Sequence, residues 1–209
     1  CRLAQYLGVE HLMLVSNGTL ALHLAYKTLQ VKNTVATTPF SFAATASSIT
    51  WEGHTPDFVD ISQHTFNINT DLLATKTSAS SIVAVHVFGN PCDVELIEDI
   101  AKKNNQTVIY DGAHAFASQY KGKSLLSYGD AATLSLHATK MIHCVEGGAV
   151  IFKDKDKLAA AKQMINFGFD DNNMPANVGI NAKMSEMHAA MGLTMLDNVE
   201  QIVCHRQQL

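Results

Sequence analysis

The sequence predicts an α/β fold with a mainly parallel sheet flanked by helices. Short apolar runs alternate with helix-patterned segments along the whole chain, the spacing of repeated βα units. Residues 80–88, built around Ile82-Val83-Ala84-Val85, form an apolar run of the kind found in a strand covered on both faces. A Gly18-Thr19 turn and Asp111 both fall at predicted strand ends, where open α/β sheets bind their ligands.

Residues 1–8 read as a helix finishing at Gly8, and residues 9–15 as a buried strand. Ser16-Asn17-Gly18-Thr19 then turns into a helix with Leu20, Leu22, Leu24, Ala25 and Leu29 apolar. Two readings of that turn stand side by side: an ordinary cap from Ser16 or Thr19, or an anion site at the positive helix end. A second strand is expected over 34–39, an alanine-rich helix from Phe40-Ser41-Phe42 to Gly53, and a third strand over 55–61. A short helix over 69–76 precedes the strand 80–88. A helix over 93–103 follows, and then a strand over 106–110 that delivers Asp111. Residues 120–124 and Gly129-Asp130 suggest a hairpin before a strand over 131–136, and residues 149–152 a further strand. Residues 153–157 read as a solvated turn, 158–167 as a helix ending at Gly168, and 169–176 as polar loop. Ser185 is placed to cap a last helix, with Met187, Met191 and Met195 at i, i+4, i+8 as packing rather than metal ligands.

At 209 residues the default is one domain. A net charge of −4 gives no reason to expect nucleic acid, and no apolar run reaches the ~18 residues of a membrane-spanning helix. Four cysteines without a C-x-x-C pair read as reduced thiols in a cytoplasmic protein, with no disulfide frame and no metal site. The chain starts at Cys1 and stops inside an amphipathic stretch, so both ends are expected to be cuts in a longer protein.

The chemistry concentrates between Thr133 and Val150. Only Asp130, Lys140 and Glu146 are charged between Gly129 and Phe152. A lone lysine among small and apolar residues is expected to have a lowered pKa and to attack carbonyls, which is Schiff-base chemistry. Asp111, in Asp111-Gly112-Ala113-His114-Ala115, has no neighbouring cation in sequence. Such a carboxylate either caps a helix starting at Gly112 or awaits a partner that is cationic when bound. Gly122-Lys123-Ser124 imitates the tail of a P-loop, but Ala117 stands where its first glycine belongs.

A phosphate site, a strand-end aspartate and a loop lysine together are the requirements of pyridoxal 5'-phosphate. The sequence resembles the DegT/StrS-type sugar aminotransferases, within the fold type I aminotransferases. The resemblance rests on Val15-Ser16-Asn17-Gly18-Thr19, Thr38-Pro39-Phe40-Ser41-Phe42-Ala43-Ala44-Thr45, Asp111 to Ala115, Ser135-Leu136-His137-Ala138-Thr139-Lys140, Glu146-Gly147-Gly148 and Gly179-Ile180-Asn181-Ala182-Lys183-Met184-Ser185-Glu186. It implies a seven-stranded, aspartate aminotransferase-like large domain over 1–209, without the N-terminal segment and the C-terminal small domain. It implies Lys140 as the Schiff-base lysine and Asp111 as partner of the pyridine nitrogen. Gly18, Thr19 and Ser135 would hold the phosphate, Phe42 would lie over the ring and His114 would support its polar edge. Asn181 would reach the phosphate of a neighbouring subunit in a homodimer with shared sites. The implied reaction moves an amino group from an amino acid, usually glutamate, to a nucleotide-linked keto sugar. Lys183 and Ile165 stand where arginine is common in relatives, which bears on the substrate. Lys140 argues against a dehydratase of the same family, and with Asp111 against a non-catalytic or regulatory member. The first turn lacks the G-x-G-x-x-G of a dinucleotide-binding oxidoreductase.

Overall fold

The computed structural model describes residues 1–208. Helix α1 (Arg2–Leu7) closes on Gly8, whose left-handed φ of 65° reverses the chain without a Cβ clash. Strand β1 (Leu12–Val15) leads into helix α2 (Gly18–Thr28). Its cap is Asn17, which accepts from the Leu20 N–H at 2.8 Å, so neither Ser16 nor Thr19 takes the capping role expected of it. Asn17 has the extended backbone of a cap, and Thr19 already lies inside the first turn.

Strand β2 (Thr34–Thr37), helix α3 (Ala43–Trp51), strand β3 (Thr55–Phe58), helix α4 (Thr70–Leu73) and strand β4 (Ser81–Val85) follow. Helix α5 (Val94–Asn104) and strand β5 (Thr107–Asp111) come next, then the hairpin β6 (Gln119–Tyr120) and β7 (Lys123–Ser124). Strands β8 (Ala131–Ser135) and β9 (Gly148–Phe152) precede helices α6 (Lys155–Met164), α7 (Glu186–Asp197) and α8 (Val199–Gln207). Strands β2, β3 and β4 stop short of their predicted ends. Beyond Val85, residues 87–89 coil into a single tight turn with Phe88 at φ 55°. The charged stretch 153–157 is not a free turn: Asp154 caps α6 by accepting from the Asp156 N–H at 2.7 Å.

The sheet runs β1-β9-β8-β5-β4-β2-β3. Strands β8, β5, β4, β2 and β3 are parallel, and β9 is antiparallel to both of its neighbours. It follows that β1 points the same way as β8. Successive strand residues feed opposite faces: Val108 and Tyr110 join one buried cluster, while Ile109 joins the other. Both faces are therefore dry, which is why β4 and β9 are buried at every position. Of the three methionines, Met191 and Met195 pack against the core, whereas Met187 is 81% exposed.

Helices α2 and α3, which both start beside the strand ends, are tied together at their far ends. Glu52 accepts from Lys27 Nζ at 2.6 Å, and its other oxygen lies 2.7 Å from His23 Nδ1. Burial would raise the Glu52 carboxyl, but the hydrogen bonds from Lys27 and His23 outweigh it and hold the group below its ordinary value. A depressed folded value gives stability that is present above the carboxylate range and lost as pH falls through it. Glu52→Gln should therefore destabilise the fold by about 1–3 kcal/mol at neutral pH. Urea unfolding should show that difference shrinking below about pH 4, and an undiminished difference in acid would contradict this account.

Candidate functional site

Because β1, β2, β4, β5 and β8 share one direction, their carboxyl ends form one rim. The segments leaving that rim wall a cavity of about 660 Å³, within the range of small-molecule sites. Gly18, Thr19, Phe42, Asp111, His114, Ser135 and Lys140 all line it. The structure thus brings together seven of the eight residues singled out in the sequence.

The turn after β1 and the end of β8 meet through small residues. Ser135 pairs with Gly148, and Gly148 with Val15, across the sheet. A Cβ on Gly18 would lie 3.1 Å from Ser135 Cβ, and one on Gly148 only 2.5 Å from the Asn17 carbonyl carbon. Glycine at both positions lets the start of α2 sit on the sheet rim. Asn17 satisfies the Leu20 N–H, which leaves the Gly18 and Thr19 N–H groups with no acceptor among the described residues. With the hydroxyls of Thr19 and Ser135 nearby on the wall, the turn presents donors at the positive end of an eleven-residue helix. Capping falls to Asn17, and the Gly18 and Thr19 N–H groups remain open to another acceptor.

Asp111 ends β5, between Val85 and Thr133 in the register, and is 6% exposed. It caps no helix. Residues 112–115 form a turn, and Asp111 Oδ1 accepts from the Ala113 N–H at 3.1 Å while Oδ2 accepts from Thr45 Oγ1 at 2.7 Å. No cation pairs with it among the described residues. A buried anion held only by neutral donors retains acceptor capacity toward the cavity.

His114 sits at the mouth, its ring 6.2 Å from that of Phe88 and nearly parallel to it. Partial desolvation, reinforced by the positive charge of Lys140, pushes His114 below its ordinary value, with Asp111 pulling the other way. Phe88 owes its left-handed backbone to Asn67, which is buried and clamps the turn. Asn67 Oδ1 accepts from the Val87 N–H at 2.9 Å, and its amide donates to the carbonyls of Asn90 and Pro91.

Lys140 lies in the loop 136–147 that joins β8 to β9. Backbone bonds from Ala138 to Val145 and from Cys144 to Leu136 close this loop, and the Lys140 N–H donates to His137 at 2.9 Å. The lysine is half-buried, and its surroundings are more polar than the sequence suggested. The same wall carries His137, Thr139 and Glu146, with His137 bonded to Thr139 at 2.9 Å and 3.5 Å from Glu146. Residues apolar in sequence, such as Ile142, turn into the core instead.

Phe42 stands at the start of α3 with 78% of its surface exposed, at the mouth. Asn181 is the one singled-out residue absent from the wall. The Ser16 N–H donates to Ala182 at 2.9 Å, which draws the backbone close to the rim, yet the Asn181 side chain is exposed and off the cavity. Sequence reasoning gave no role to Ser41, Thr45, Asn67 or Phe88. The i, i+4 spacing of Ser41 and Thr45 at a helix start was a usable signal; nothing local marked Asn67 or Phe88.

Comparison with known proteins agrees with this geometry. The family model described as "DegT/DnrJ/EryC1/StrS aminotransferase family" matches residues 1–209. The dTDP-4-amino-4,6-dideoxy-D-glucose transaminase of Shigella dysenteriae is 43% identical over 201 residues, covering 95% of this chain and 55% of that protein. The GDP-perosamine synthase of Caulobacter vibrioides is 35% identical over 215 residues, covering 99% and 57%. The crystal structure of DesI in the presence of its TDP-sugar product superposes with a TM-score of 0.90 at 37% identity, covering 96% of this chain and 52% of that one. The chain spans a little over half the length of the curated relatives it matches. With sheet order, cavity and sequence in agreement, the chain belongs to the DegT/DnrJ/EryC1/StrS aminotransferase family.

Proposed function

We propose that these 209 residues form the large cofactor-binding domain of a longer, pyridoxal-phosphate-dependent aminotransferase. The enzyme passes an amino group from an amino acid, glutamate by family resemblance, to a keto group of a nucleotide-linked deoxysugar. One observation carries the reading: a single cavity walled by acceptor-free helix N–H groups, a cation-free buried carboxylate and a lysine amine. Relatives named as transaminases of dTDP- and UDP-linked amino sugars support the substrate class.

The donor set suits pyridoxal 5'-phosphate group by group. The N–H groups of Gly18 and Thr19, with the hydroxyls of Thr19 and Ser135, would hold its phosphate. Asp111 would hold its protonated ring nitrogen, Phe42 would cover the ring face, and His114 would support its polar edge. Lys140 would hold it covalently. Bound there, the cofactor supplies an electron sink for the carbon that gains or loses the amino group. Lys140 Nζ would take the proton from the carbon that loses the amino group and, in the second half-reaction, deliver one to the carbon that gains it, a role worth roughly 10²–10⁴ in rate. Asn181, turned away from its own cavity, would complete the site of a second copy in a homodimer with shared active sites. The four free thiols fit a cytoplasmic protein.

Borohydride reduction of the complete, cofactor-loaded protein should label Lys140 alone on peptide mapping; label on Lys121 or Lys123 would overturn the lysine assignment. Asp111→Asn should keep the cofactor but lose transamination roughly a hundredfold, and near-normal turnover would contradict its role. Mixed subunits of inactive Lys140→Ala and inactive Asn181→Glu should recover part of the activity, because one of the two sites in a heterodimer carries neither lesion. No recovery despite demonstrated subunit exchange would exclude a shared site built on Asn181.

A further inference from the structure

We infer that Thr45 is a positioning residue, whose hydroxyl, backed by that of Ser41, fixes the rotamer in which Asp111 faces the cavity. The inference rests on the cofactor reading above. Thr45 is wholly buried and Asp111 nearly so, which denies both groups the option of turning to water. Thr45 Oγ1 donates to Asp111 Oδ2 at 2.7 Å. A hydroxyl has one proton to give, so the 2.7 Å contact between Ser41 Oγ and Thr45 Oγ1 is a donation from Ser41. The result is a directed relay from Ser41 through Thr45 to the carboxylate, each bond polarising the next.

The relay has a clear structural origin. Ser41 and Thr45 are four residues apart at the start of α3, while the second donor to Asp111, the Ala113 N–H, comes from the loop after β5. The carboxylate is thus bracketed by two elements and cannot rotate without breaking a bond to one of them. The choice of a hydroxyl also has a consequence. A lysine or arginine at this place would neutralise Asp111 and compete with any cationic group entering the cavity. A hydroxyl orients the anion and leaves its charge available.

The test uses the complete protein with Thr45→Val, which keeps the shape and removes the donor, Thr45→Ser, which restores it, and Ser41→Ala. Cofactor affinity by equilibrium dialysis, the pH dependence of the visible spectrum, and kcat and KM are measured beside thermal stability. Thr45→Val should lower kcat about tenfold, the effect of one hydrogen bond to a charged group. It should also displace the spectral pH transition, with the KM for the amino donor held within about twofold. Thr45→Ser should restore both, and Ser41→Ala should show a smaller effect of the same kind. A folded Thr45→Val with wild-type spectrum and kcat overturns the inference, as does a loss confined to thermal stability. Should Thr45→Val not fold, an unchanged spectrum and kcat in Ser41→Ala overturns it. Asp111→Asn separates the two readings: if it perturbs spectrum and turnover while Thr45→Val does not, the relay alone fails. If Asp111→Asn perturbs neither, the role of Asp111 fails and the relay with it.

Discussion

Everything at this site depends on the direction of the strands. Parallel pairing of β5 with β4 and β8 stacks Val85, Asp111 and Thr133 in one register, so segments distant in sequence leave the sheet side by side. Strand β9 adds the less obvious step. By running antiparallel between β8 and β1, it turns β1 to point with the others, and the glycine at its own start lets the turn before α2 settle on the rim. Reverse β9 and the Gly18-Thr19 turn would lie at the opposite edge from Asp111. The loop 136–147 joins antiparallel neighbours, so both its ends lie at this rim and Lys140 between them stays beside it.

The cavity is electrostatically uneven in a useful way. One part offers the positive end of α2 and unpaired N–H donors; another offers a buried anion with neutral supports. A ligand with an anionic group at one end and a protonatable nitrogen elsewhere has one favoured orientation between them. Lys140 and His114 line the same cavity. Orientation here comes from fixed dipoles and charges, which cost no reorganisation when a ligand arrives.

The alternation of apolar runs and helical patterns revealed the elements because both sheet faces are dry and strand residues had to be apolar throughout. Asp111, Lys140, Ser135 and the Gly18-Thr19 turn were legible for a related reason: each is a polar interruption where an apolar run ends. Asn17 was missed as the cap because three neighbouring residues can cap a helix, and backbone dihedrals rather than side-chain type decide among them. The polarity around Lys140 was misjudged because sequence neighbours such as Ile142 turn into the core while Glu146 folds back beside His137. Asn67 and Phe88 lie beyond local reading altogether. Their relation spans 21 positions and is made by an amide bonding to backbone, which leaves no periodic trace.

The same four features that suit the cavity to a ligand oppose stability: acceptor-free N–H groups, a cation-free buried anion, a left-handed phenylalanine and exposed aromatic rings. The first three are held in place by something rigid behind them. Asn17 caps the helix that carries the free donors, Thr45 and Ala113 bracket the anion, and Asn67 clamps the turn that strains Phe88. Behind these supports lie strands buried on both faces and the Glu52 tie between α2 and α3. Local violations persist only where surrounding structure over-determines them. That Asn17, Thr45, Ala113 and Asn67 brace three such features around one cavity at this rim is the physical argument that supports the rim as the candidate site.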